Sequence, residues 1–384
     1  MKKGQTTPLL LRNKISAAII VGTVVAIALM TTTAGIFSHI DPRRLPVAGC
    51  LNLAYPLLLI VDIIITILVA FLSRKLMCIG LLAVVLTSSS ALDYSPLNFF
   101  SKGYQPNKTD STFTMMSFNV ATFWPYDEVF LENGENPLLE YILEQDPDIA
   151  VLQEIERLDE SKIWHISKSQ SERLRKQYPY TDGPHDPKKC PLAVLSKFPL
   201  KNIENKMYSR YGEAQIVEVV LPEGQEMTIV NVHLQSLGLT KDDKELYTDV
   251  LKANLDQYEL ASLKGNIYDK LAFAFEQRAI QADSIRHIIL NDNRIKENLI
   301  VTGDFNDTQN CWALRHICDG TNLKSAYRSV GFGPLITYYA NHFYFRIDHT
   351  LYRGDLKPLA YRCDQSFKKS DHYPTFTTFS FTDK

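Results

Sequence analysis

Cysteine is scarce in this chain, and its cysteines form no recognisable metal-binding pattern. The 384 residues include six cysteines, with no CxxC pair and no Cys/His cluster, which argues against a zinc site. Cys311 and Cys318 lie seven residues apart. In a helix this spacing is a rise of about 10.5 Å, too long for a disulfide between the two. We therefore expect buried free thiols.

Excess positive charge is also missing from most of the chain. Residues 95–384 contain 33 Lys and Arg residues against 40 Asp and Glu residues, a net charge of about −7 with histidine taken as neutral. Broad, non-specific binding of nucleic acid needs a basic surface. The composition argues against such binding, although it leaves room for a local basic groove.

Long apolar runs are concentrated at the N-terminus. They cover about 15–38, 46–72 and 76–92, and the second is interrupted by Asp62. The first is too long for the core of a cleaved signal peptide, and two more follow it. We predict a membrane region of three transmembrane helices in 1–94. For Asp62 we favour a hydrogen bond to a neighbouring helix, or protonation, over a functional role.

The flanking charges predict the orientation of these spans. Four basic residues lie within 1–14, before the first span, and a basic pair at 74–75 separates the second from the third. Both segments should be cytoplasmic by the positive-inside tendency. Three spans then place 95–384 outside the cytoplasm, in a periplasmic or extracellular position. The arginine pair at 43–44 runs against this assignment.

After a polar linker at 95–111, the chain alternates strand-like and helix-like patterns, which favours two packed sheets with helices outside. Between His233 and Glu276 lies an arm, residues 236–274, that reads either as a solvated excursion or as a substrate-contacting lid. The predicted strands are 114–119, 149–153, 192–196, 215–221, 227–233, 299–302, 346–352 and 373–381, and the predicted helices are 136–145 and 276–290.

Two polar residues at strand ends suggest a metal site. Glu154 follows the apolar run Ile149–Gln153, and Asn119 ends the run that begins at Thr114. Mg²⁺ prefers hard oxygen ligands and keeps several waters, so one or two carboxylates suffice to bind it. We predict Glu154 as a ligand, whereas Asn119 can either coordinate the metal or hold a carboxylate by its amide.

Asp304 and Asn306 lie just beyond the apolar run at 298–302. If Thr302–Asn306 is extended, both side chains share one face. Asp304 could then orient or deprotonate an attacking water, and Asn306 could donate its amide to a developing negative oxygen. The alternative is a simple Asp/Asn turn.

Two histidines complete the candidate chemistry. His372 needs an acidic partner to fix its tautomer, and Asp348 fits that role. Asp371 beside it could be a further metal ligand. His233 could protonate the leaving oxygen or hydrogen-bond the phosphate, although a lone strand histidine is more often structural.

These residues belong to six short motifs in which a polar residue stands at or just beyond an apolar run. In this order and spacing, over about 255 residues, they resemble the endonuclease/exonuclease/phosphatase superfamily, the DNase I-like metal-dependent phosphoesterases. The motifs are Ser117-Phe-Asn119-Val, Val151-Leu-Gln-Glu154, Asn231-Val-His233-Leu, Val301-Thr-Gly-Asp304-Phe-Asn306, Arg346-Ile-Asp348-His349 and Ser370-Asp371-His372.

The resemblance implies a four-layer α/β sandwich over 112–384 and a hydrolase acting on phosphate esters with Mg²⁺, Mn²⁺ being possible. Ala121 and His233 depart from DNA-repair members, which tend to have an acidic residue and a tyrosine there. The chain therefore resembles more closely the DNase I, sphingomyelinase and inositol-phosphatase members. The implied catalytic residues are His233, Asp304, Asn306, Asp348 and His372, and the implied metal ligands are Asn119, Glu154 and Asp371.

The resulting expectation is a membrane-anchored, divalent-metal-dependent phosphoesterase acting outside the cytoplasm. Its expected partners are the bilayer and a phosphate-ester substrate, with nucleic acid only as a substrate and no protein partner. An extracytoplasmic nuclease is the alternative enzyme. A catalytically inactive binding module is disfavoured because every expected catalytic position carries a competent residue. If the expectation holds, the eight implied residues should converge in one cleft.

Overall fold

The computed structural model describes residues 13–99, 112–131, 133–163, 165–184, 191–209, 212–238, 257–340 and 343–381. The helices are α1 (Lys14–Phe37), α2 (Val47–Ala70), α3 (Arg74–Leu86), α4 (Ser88–Tyr94), α5 (Pro137–Gln145), α6 (Lys168–Gln177), α7 (Gln257–Asn291), α8 (Trp312–Cys318) and α9 (Ala326–Val330). The strands are β1 (Thr112–Asn119), β2 (Ile149–Gln153), β3 (Tyr180–Asp182), β4 (Leu192–Ser196), β5 (Leu200–Ser209), β6 (Gly212–Val220), β7 (Glu226–His233), β8 (Leu299–Asp304), β9 (Lys324–Ser325), β10 (Asp348–Arg353), β11 (Leu356–Cys363) and β12 (Thr375–Phe381).

The N-terminal region is a bundle of apolar helices. α1 and α2 have 24 residues each and are long and apolar enough to cross a membrane. Large apolar side chains such as Ile19 and Leu57 are 64% and 65% exposed on them, as lipid-facing positions would be. The predicted third span at 76–92 is not one helix, because α3 and α4 meet at a bend of 68°. It counts as a span only if this bent pair is taken together.

Asp62 is buried in the bundle, where α2 packs closely on α3. A Cβ added at Gly80 of α3 would lie 3.2 Å from the Asp62 carboxylate and 1.8 Å from the Thr66 hydroxyl oxygen. The close approach therefore depends on a glycine at this position. The aspartate faces the helix interface, with 1% of its surface exposed.

Two six-stranded sheets form the centre of the region that follows the N-terminal helices. Their orders are β11-β12-β1-β2-β4-β3 and β5-β6-β7-β8-β10-β9. Each sheet contains one parallel pair, β1 with β2 and β7 with β8, and the other neighbours are antiparallel. Fully buried strands such as β2 read as continuous apolar runs because both of their faces are covered.

Three apolar clusters define four layers. Side chains such as Met115, Val217 and Ile300 fill the space between the two sheets. α5 and α6 cover the outer face of the first sheet, and α7 and α8 cover the outer face of the second. This is the four-layer α/β sandwich that the sequence predicted.

Hydrogen bonds and ion pairs join the N-terminal helices to the sandwich. Asn52 of α2 donates to the carbonyl of Asn310 (2.6 Å), whose side chain donates back to the Asn52 side-chain oxygen (3.1 Å). Asp93 of α4 pairs with Arg315 (3.3 Å) and Arg328. Because a buried amide pair tolerates little displacement, these contacts fix where the sandwich sits on the helices.

The structure extends several predicted elements and adds others. α7 begins at Gln257 rather than at 276, and β6 begins at Gly212 rather than at 215. Of the arm at 236–274, residues 239–256 lie outside the described residues. α6, β3, β5 and β11 were not predicted, because polar residues interrupt their apolar patterns.

Candidate active site

Four of the predicted site residues lie at the carboxyl ends of the two parallel strand pairs. Asn119 ends β1 and Glu154 directly follows β2, whereas His233 ends β7 and Asp304 ends β8. His233 and Asp304 are register partners in the second sheet. Because the sheets pack face to face, the two sets of strand ends open on one cavity, the usual position of a site in α/β proteins.

Asn119 connects the two carboxylates. It is 1% exposed, and its amide nitrogen donates to Glu154 Oε1 at 3.0 Å and to Asp304 Oδ2 at 3.1 Å. Its amide oxygen accepts a hydrogen bond from the backbone N–H of Ala121. The geometry is that of a residue holding carboxylates, the second of the two roles considered for Asn119.

His372 and Asp348 form a close pair. His372 Nδ1 lies 2.9 Å from Asp348 Oδ2, and His372 Nε2 lies 3.5 Å from Asp304 Oδ2. Asp348 is held in turn, because it pairs with Asp304 across the β8–β10 ladder and its N–H donates to Thr337 Oγ1 at 3.1 Å. Burial acts to lower the pKa of His372, but Asp348 and Asp304 outweigh it and raise this pKa well above 6.5.

His233 lies on the other side of Asp304. Its Nε2 is 3.5 Å from Glu154 Oε1 and 3.8 Å from Asp304 Oδ2, and its Nδ1 is 3.4 Å from Glu213 Oε2. Burial acts to lower the pKa of His233, but the neighbouring carboxylates, Glu213 first among them, raise it to about 9.

Sequence reasoning missed Glu213. It is 4% exposed and stands directly opposite His233 in the β6–β7 ladder. The signal was weak, because the predicted strand began at Gln215 and so excluded it. The alternation of Glu213, Gln215 and Val217 on one face of β6 would have pointed to a buried polar side chain.

Asp304 and Asn306 do not continue the strand together. β8 ends at Asp304, and Asn306 has a φ of 51°, so the extended chain on which a shared face depends does not reach Asn306. The N–H of Asn306 donates to Asp304 Oδ1 at 2.8 Å, and its amide nitrogen donates to the carbonyl of Leu234 at 2.9 Å. This is the Asp/Asn turn considered as an alternative.

Burial, opposed by His372 and assisted by Asp348, raises the pKa of Asp304 to about 6.

Left-handed backbone is concentrated around these residues. Glu154 has a φ of 53°, and Ala121, Thr122 and Phe123, just after Asn119, have φ values of 44°, 58° and 61°. Each such non-glycine residue costs on the order of 1–3 kcal/mol and persists where its surroundings over-determine it. The surrounding structure must therefore hold Glu154 and the residues after Asn119 in these conformations.

The residues surround a cavity of about 180 Å³. Asp371, the remaining predicted residue, lines it, and its carbonyl accepts a hydrogen bond from Tyr339 N–H at 3.2 Å. All eight predicted side chains thus meet at this cavity or at a residue that lines it. The lining residues are Leu53, Glu154, Ser236, Leu237, Gly238, Phe275, Arg278, Asp304, Asn306, Asp307, Thr308, Tyr338, Phe343, Phe345, Ile347, Asp371 and His372.

Comparison with known families decides the identity of this fold. The model of the endonuclease/exonuclease/phosphatase family matches residues 116–372. The chain belongs to this family. Like other members, it is a hydrolase acting on phosphate ester bonds. Residues 17–94 match a second family model, described as a domain of unknown function, and no curated protein matches the chain.

Several solved structures are similar to this family member at low identity. The catalytic domain of human nocturnin, with bound sulfate, is 19% identical, has a TM-score of 0.47 and covers 75% of this chain and 100% of its own. An endonuclease/exonuclease/phosphatase from Bacteroides vulgatus is 15% identical, with a TM-score of 0.46 and coverages of 72% and 100%. A mannosyl-6-phosphatase from Bacteroides thetaiotaomicron is 14% identical, with a TM-score of 0.43 and coverages of 70% and 100%.

Arg278 of α7 is a buried cation in the cavity lining. Its Nε donates to Asp307 Oδ2 and its Nη1 to the carbonyl of Gln235, both at 2.9 Å. Its Nη2 is buried and has no hydrogen-bond partner among the described residues. Two nitrogens thus serve the scaffold, and the third remains available to an anion such as a phosphate oxygen.

The donor set of this family member fits a divalent cation. One ligand atom each from Glu154, His233 and Asp304 lie within 4.8 Å of one another, as do those of Asp304, Asp348 and His372. Asn119 brings the carboxylates of Glu154 and Asp304 together through one amide. The carboxylate oxygens are the donors that Mg²⁺ and Mn²⁺ prefer. A cation would also relieve the repulsion between the paired carboxylates.

Proposed function

We propose that this protein is a membrane-anchored, divalent-metal-dependent phosphoesterase that hydrolyses a phosphodiester, or a phosphomonoester, outside the cytoplasm. The observation that carries the proposal is the set of contacts made by the Asp304 carboxylate. Its Oδ2 faces His372 and His233 from two sides, at 3.5 Å and 3.8 Å, and it shares the Asn119 amide with Glu154. A base, an acid and a cation-binding carboxylate therefore meet within one cavity.

Glu154 and Asp371 are the residues that would hold Mg²⁺, and Asn119 would support them by holding the carboxylate of Glu154. The ion, when bound, neutralises the charge of the phosphate and polarises its ester bond. Glu154 is suited to this role because it lies at the end of β2, where its carboxylate accepts a hydrogen bond from Asn119. Asn119 holds Glu154 at a fixed distance from Asp304.

Asp304 orients the attacking water and accepts its proton. A carboxylate with a pKa near 6 is a competent base at neutral pH, when it is mostly ionised. His372 contacts Asp304 through Nε2 while Asp348 holds its Nδ1. This imidazolium stabilises the charge at Asp304 and at the phosphate.

His233 gives a proton to the leaving oxygen. Its raised pKa keeps the imidazole protonated at neutral pH, as a general acid must be. Glu213 lies 3.4 Å from Nδ1, whereas Nε2 lies near Glu154 and Asp304, so Nε2 is the nitrogen suited to deliver the proton. The side-chain amide of Asn306 donates to the developing negative oxygen only if it leaves the carbonyl of Leu234. The buried Nη2 of Arg278 provides a further donor.

The catalytic proposal is tested with the full chain in mild detergent. Hydrolysis of bis-p-nitrophenyl phosphate should require Mg²⁺, cease with EDTA and fail in Glu154→Gln, which keeps the side-chain size and removes the charge. Glu172→Gln, at an exposed glutamate on α6, is the matched control and should behave as the wild type. Unchanged Mg²⁺ affinity by calorimetry together with full turnover in Glu154→Gln would refute the metal assignment.

The charges around the helices support the outside location. Lys14 begins α1, and Arg74 and Lys75 begin α3, whereas the sandwich contacts α2 near its start, at Asn52. Arg43, on the sandwich side, pairs with Asp41 and Asp283, so its charge is compensated there. A C-terminal fusion to a reporter that folds only outside the cytoplasm should be active. Activity of a cytoplasm-only reporter at the same position would reverse the orientation.

A further inference from the structure

The catalytic cavity is lined by two unlike sets of side chains. The first is the acid and histidine cluster that the hydrolysis requires. The second is apolar and exceeds what a small charged substrate needs, because apolar surface favours hydrocarbon over water. This second set, called the apolar lining, comprises Leu53, Leu237, Phe275, Phe343, Phe345 and Ile347.

Leu53 belongs to the membrane helix α2, not to the sandwich. Its neighbour Asn52 exchanges two hydrogen bonds with Asn310 of the sandwich. One turn earlier, a Cβ added at Gly49 would come within 2.5 Å of the Phe275 ring, so only glycine permits this approach. The membrane helix is therefore a fixed wall of the catalytic cavity.

An apolar stripe continues from this wall along α2. Leu53, Leu57, Ile60 and Ile64 follow the spacing that places side chains on one helix face. Leu53 lines the cavity, whereas Leu57, Ile60 and Ile64 are 65%, 55% and 52% exposed on the outside of the span. The stripe covers a rise of about 16 Å. It connects the cavity wall to the lipid-facing surface.

We infer that the substrate is an amphiphilic phosphate ester drawn from the bilayer that holds the helices, with its hydrocarbon chain against the apolar lining. The inference rests on the proposed hydrolysis and names its substrate class. Water forms a bond to phosphorus and gives a proton to Asp304, the ester P–O bond breaks, and the leaving oxygen takes a proton from His233. The hydrocarbon chain of the substrate lies along Leu53, and the phosphate of the substrate lies at Glu154 and Asp304.

A series of alkyl p-nitrophenyl phosphate diesters, from ethyl to octyl, tests the chain site. With the full protein in phosphatidylcholine nanodiscs, kcat/KM should rise by up to about fourfold per methylene until the apolar lining is filled. A flat series with clear hydrolysis of the ethyl ester would overturn the inference and leave the proposed function intact. No metal-dependent hydrolysis of any ester would overturn both.

Two changes at Leu53 test the wall itself. Leu53→Gln should lower the octyl-to-ethyl ratio of kcat/KM at least about threefold, because a buried amide without a partner opposes the chain. Leu53→Phe keeps the site apolar but fills it, and should move the optimum to a shorter chain. Leu82→Gln is the matched control, because Leu82 is 57% exposed on α3 and lines no part of the cavity. Equal ratios in all three variants and the wild type would exclude Leu53 from the substrate site.

The bilayer as the source of substrate is tested with a hexadecyl p-nitrophenyl phosphate held in vesicles. The ester is placed either in the phosphatidylcholine vesicles that contain the protein or in separate vesicles of the same composition. Hydrolysis should be at least about tenfold faster in the shared vesicles, because a long chain leaves its bilayer slowly. Equal rates in both arrangements would show that the ester enters from water, which contradicts this part of the inference.

Discussion

The His372 side and the His233 side of the cavity have the same kinds of residues, but their contact distances differ. On each side a carboxylate contacts Nδ1 while Nε2 faces Asp304. The His372–Asp348 contact is a hydrogen bond of 2.9 Å, and Nε2 lies 3.5 Å from Asp304. The His233–Glu213 contact is 3.4 Å, and Nε2 lies 3.8 Å from Asp304. The contacts of the first imidazole are therefore closer than those of the second.

This difference suggests a division of labour. A side chain that stabilises charge at Asp304 and the phosphate gains from a fixed position, because preorganised groups need no reorganisation during the reaction. A side chain that delivers a proton to a leaving oxygen must follow that oxygen as its bond breaks. The tight pair therefore suits His372 and the looser pair suits His233.

Asp304→Asn should have the largest effect, because both sides of the comparison meet at this carboxylate. The variant keeps the size of the side chain and removes the base. We expect kcat to fall by at least about 10³-fold with little change in the melting temperature. Turnover is measured with bis-p-nitrophenyl phosphate, and unfolding by intrinsic fluorescence. A fall below tenfold in folded protein would remove Asp304 from the role of base.

His372→Ala and Asp348→Ala should each lower kcat by about 10²–10⁴-fold. The double variant should be hardly worse than His372→Ala, because residues that act as one unit give non-additive losses. The comparison is a double-mutant cycle on kcat. Losses that multiply fully would show that the 2.9 Å contact is not a catalytic pair.

Glu213→Gln should have a smaller effect, a fall in kcat of about tenfold, because the 3.4 Å contact constrains His233 less. A double-mutant cycle on kcat that combines Glu213→Gln with His233→Gln should give a smaller coupling energy than the His372–Asp348 cycle. Coupling as strong as that of the first pair would mean that the two sides are equivalent.

The sequence predicted the His372 side more completely than the His233 side, for a physical reason. His372 and Asp348 stand in local motifs at strand ends, so each could be found from its own neighbours in the chain. The partnership of Glu213 with His233 depends on the register of β6 against β7, which no local pattern specifies. Leu53 was missed for the same reason, since its place in the cavity arises from tertiary packing of α2.

The fold shows the same division between local and non-local information. β2 was predicted with both of its ends, because a strand buried on both faces is one apolar run bounded by polar residues. The conformation after Asp304 was not, because the turn made by Asn306 replaced the extended chain that a period-2 argument assumes. The bend between α3 and α4 was also missed, because apolar composition alone does not show where a helix breaks.

A third imidazole, His349, shows what burial does without carboxylates at both ring nitrogens. It is 5% exposed, its Nε2 donates to the carbonyl of Asp307 at 2.9 Å, and burial together with Arg346 lowers its pKa to about 3. The unfolded chain takes up this proton below about pH 6.5, whereas the folded protein does not. Folding is therefore favoured above pH 6.5 and loses stability as the pH falls towards 3, by up to about 1.4 kcal/mol per pH unit.

His349→Gln, which keeps a side-chain N–H donor and cannot be protonated, should remove this dependence. Between pH 7 and pH 5 the melting temperature of the wild type in mild detergent should fall by more than that of the variant. The other titrating groups are common to both proteins and cancel in the difference. Identical slopes for His349→Gln and the wild type would mean that His349 is protonated in the folded protein, as we expect His372 and His233 to be.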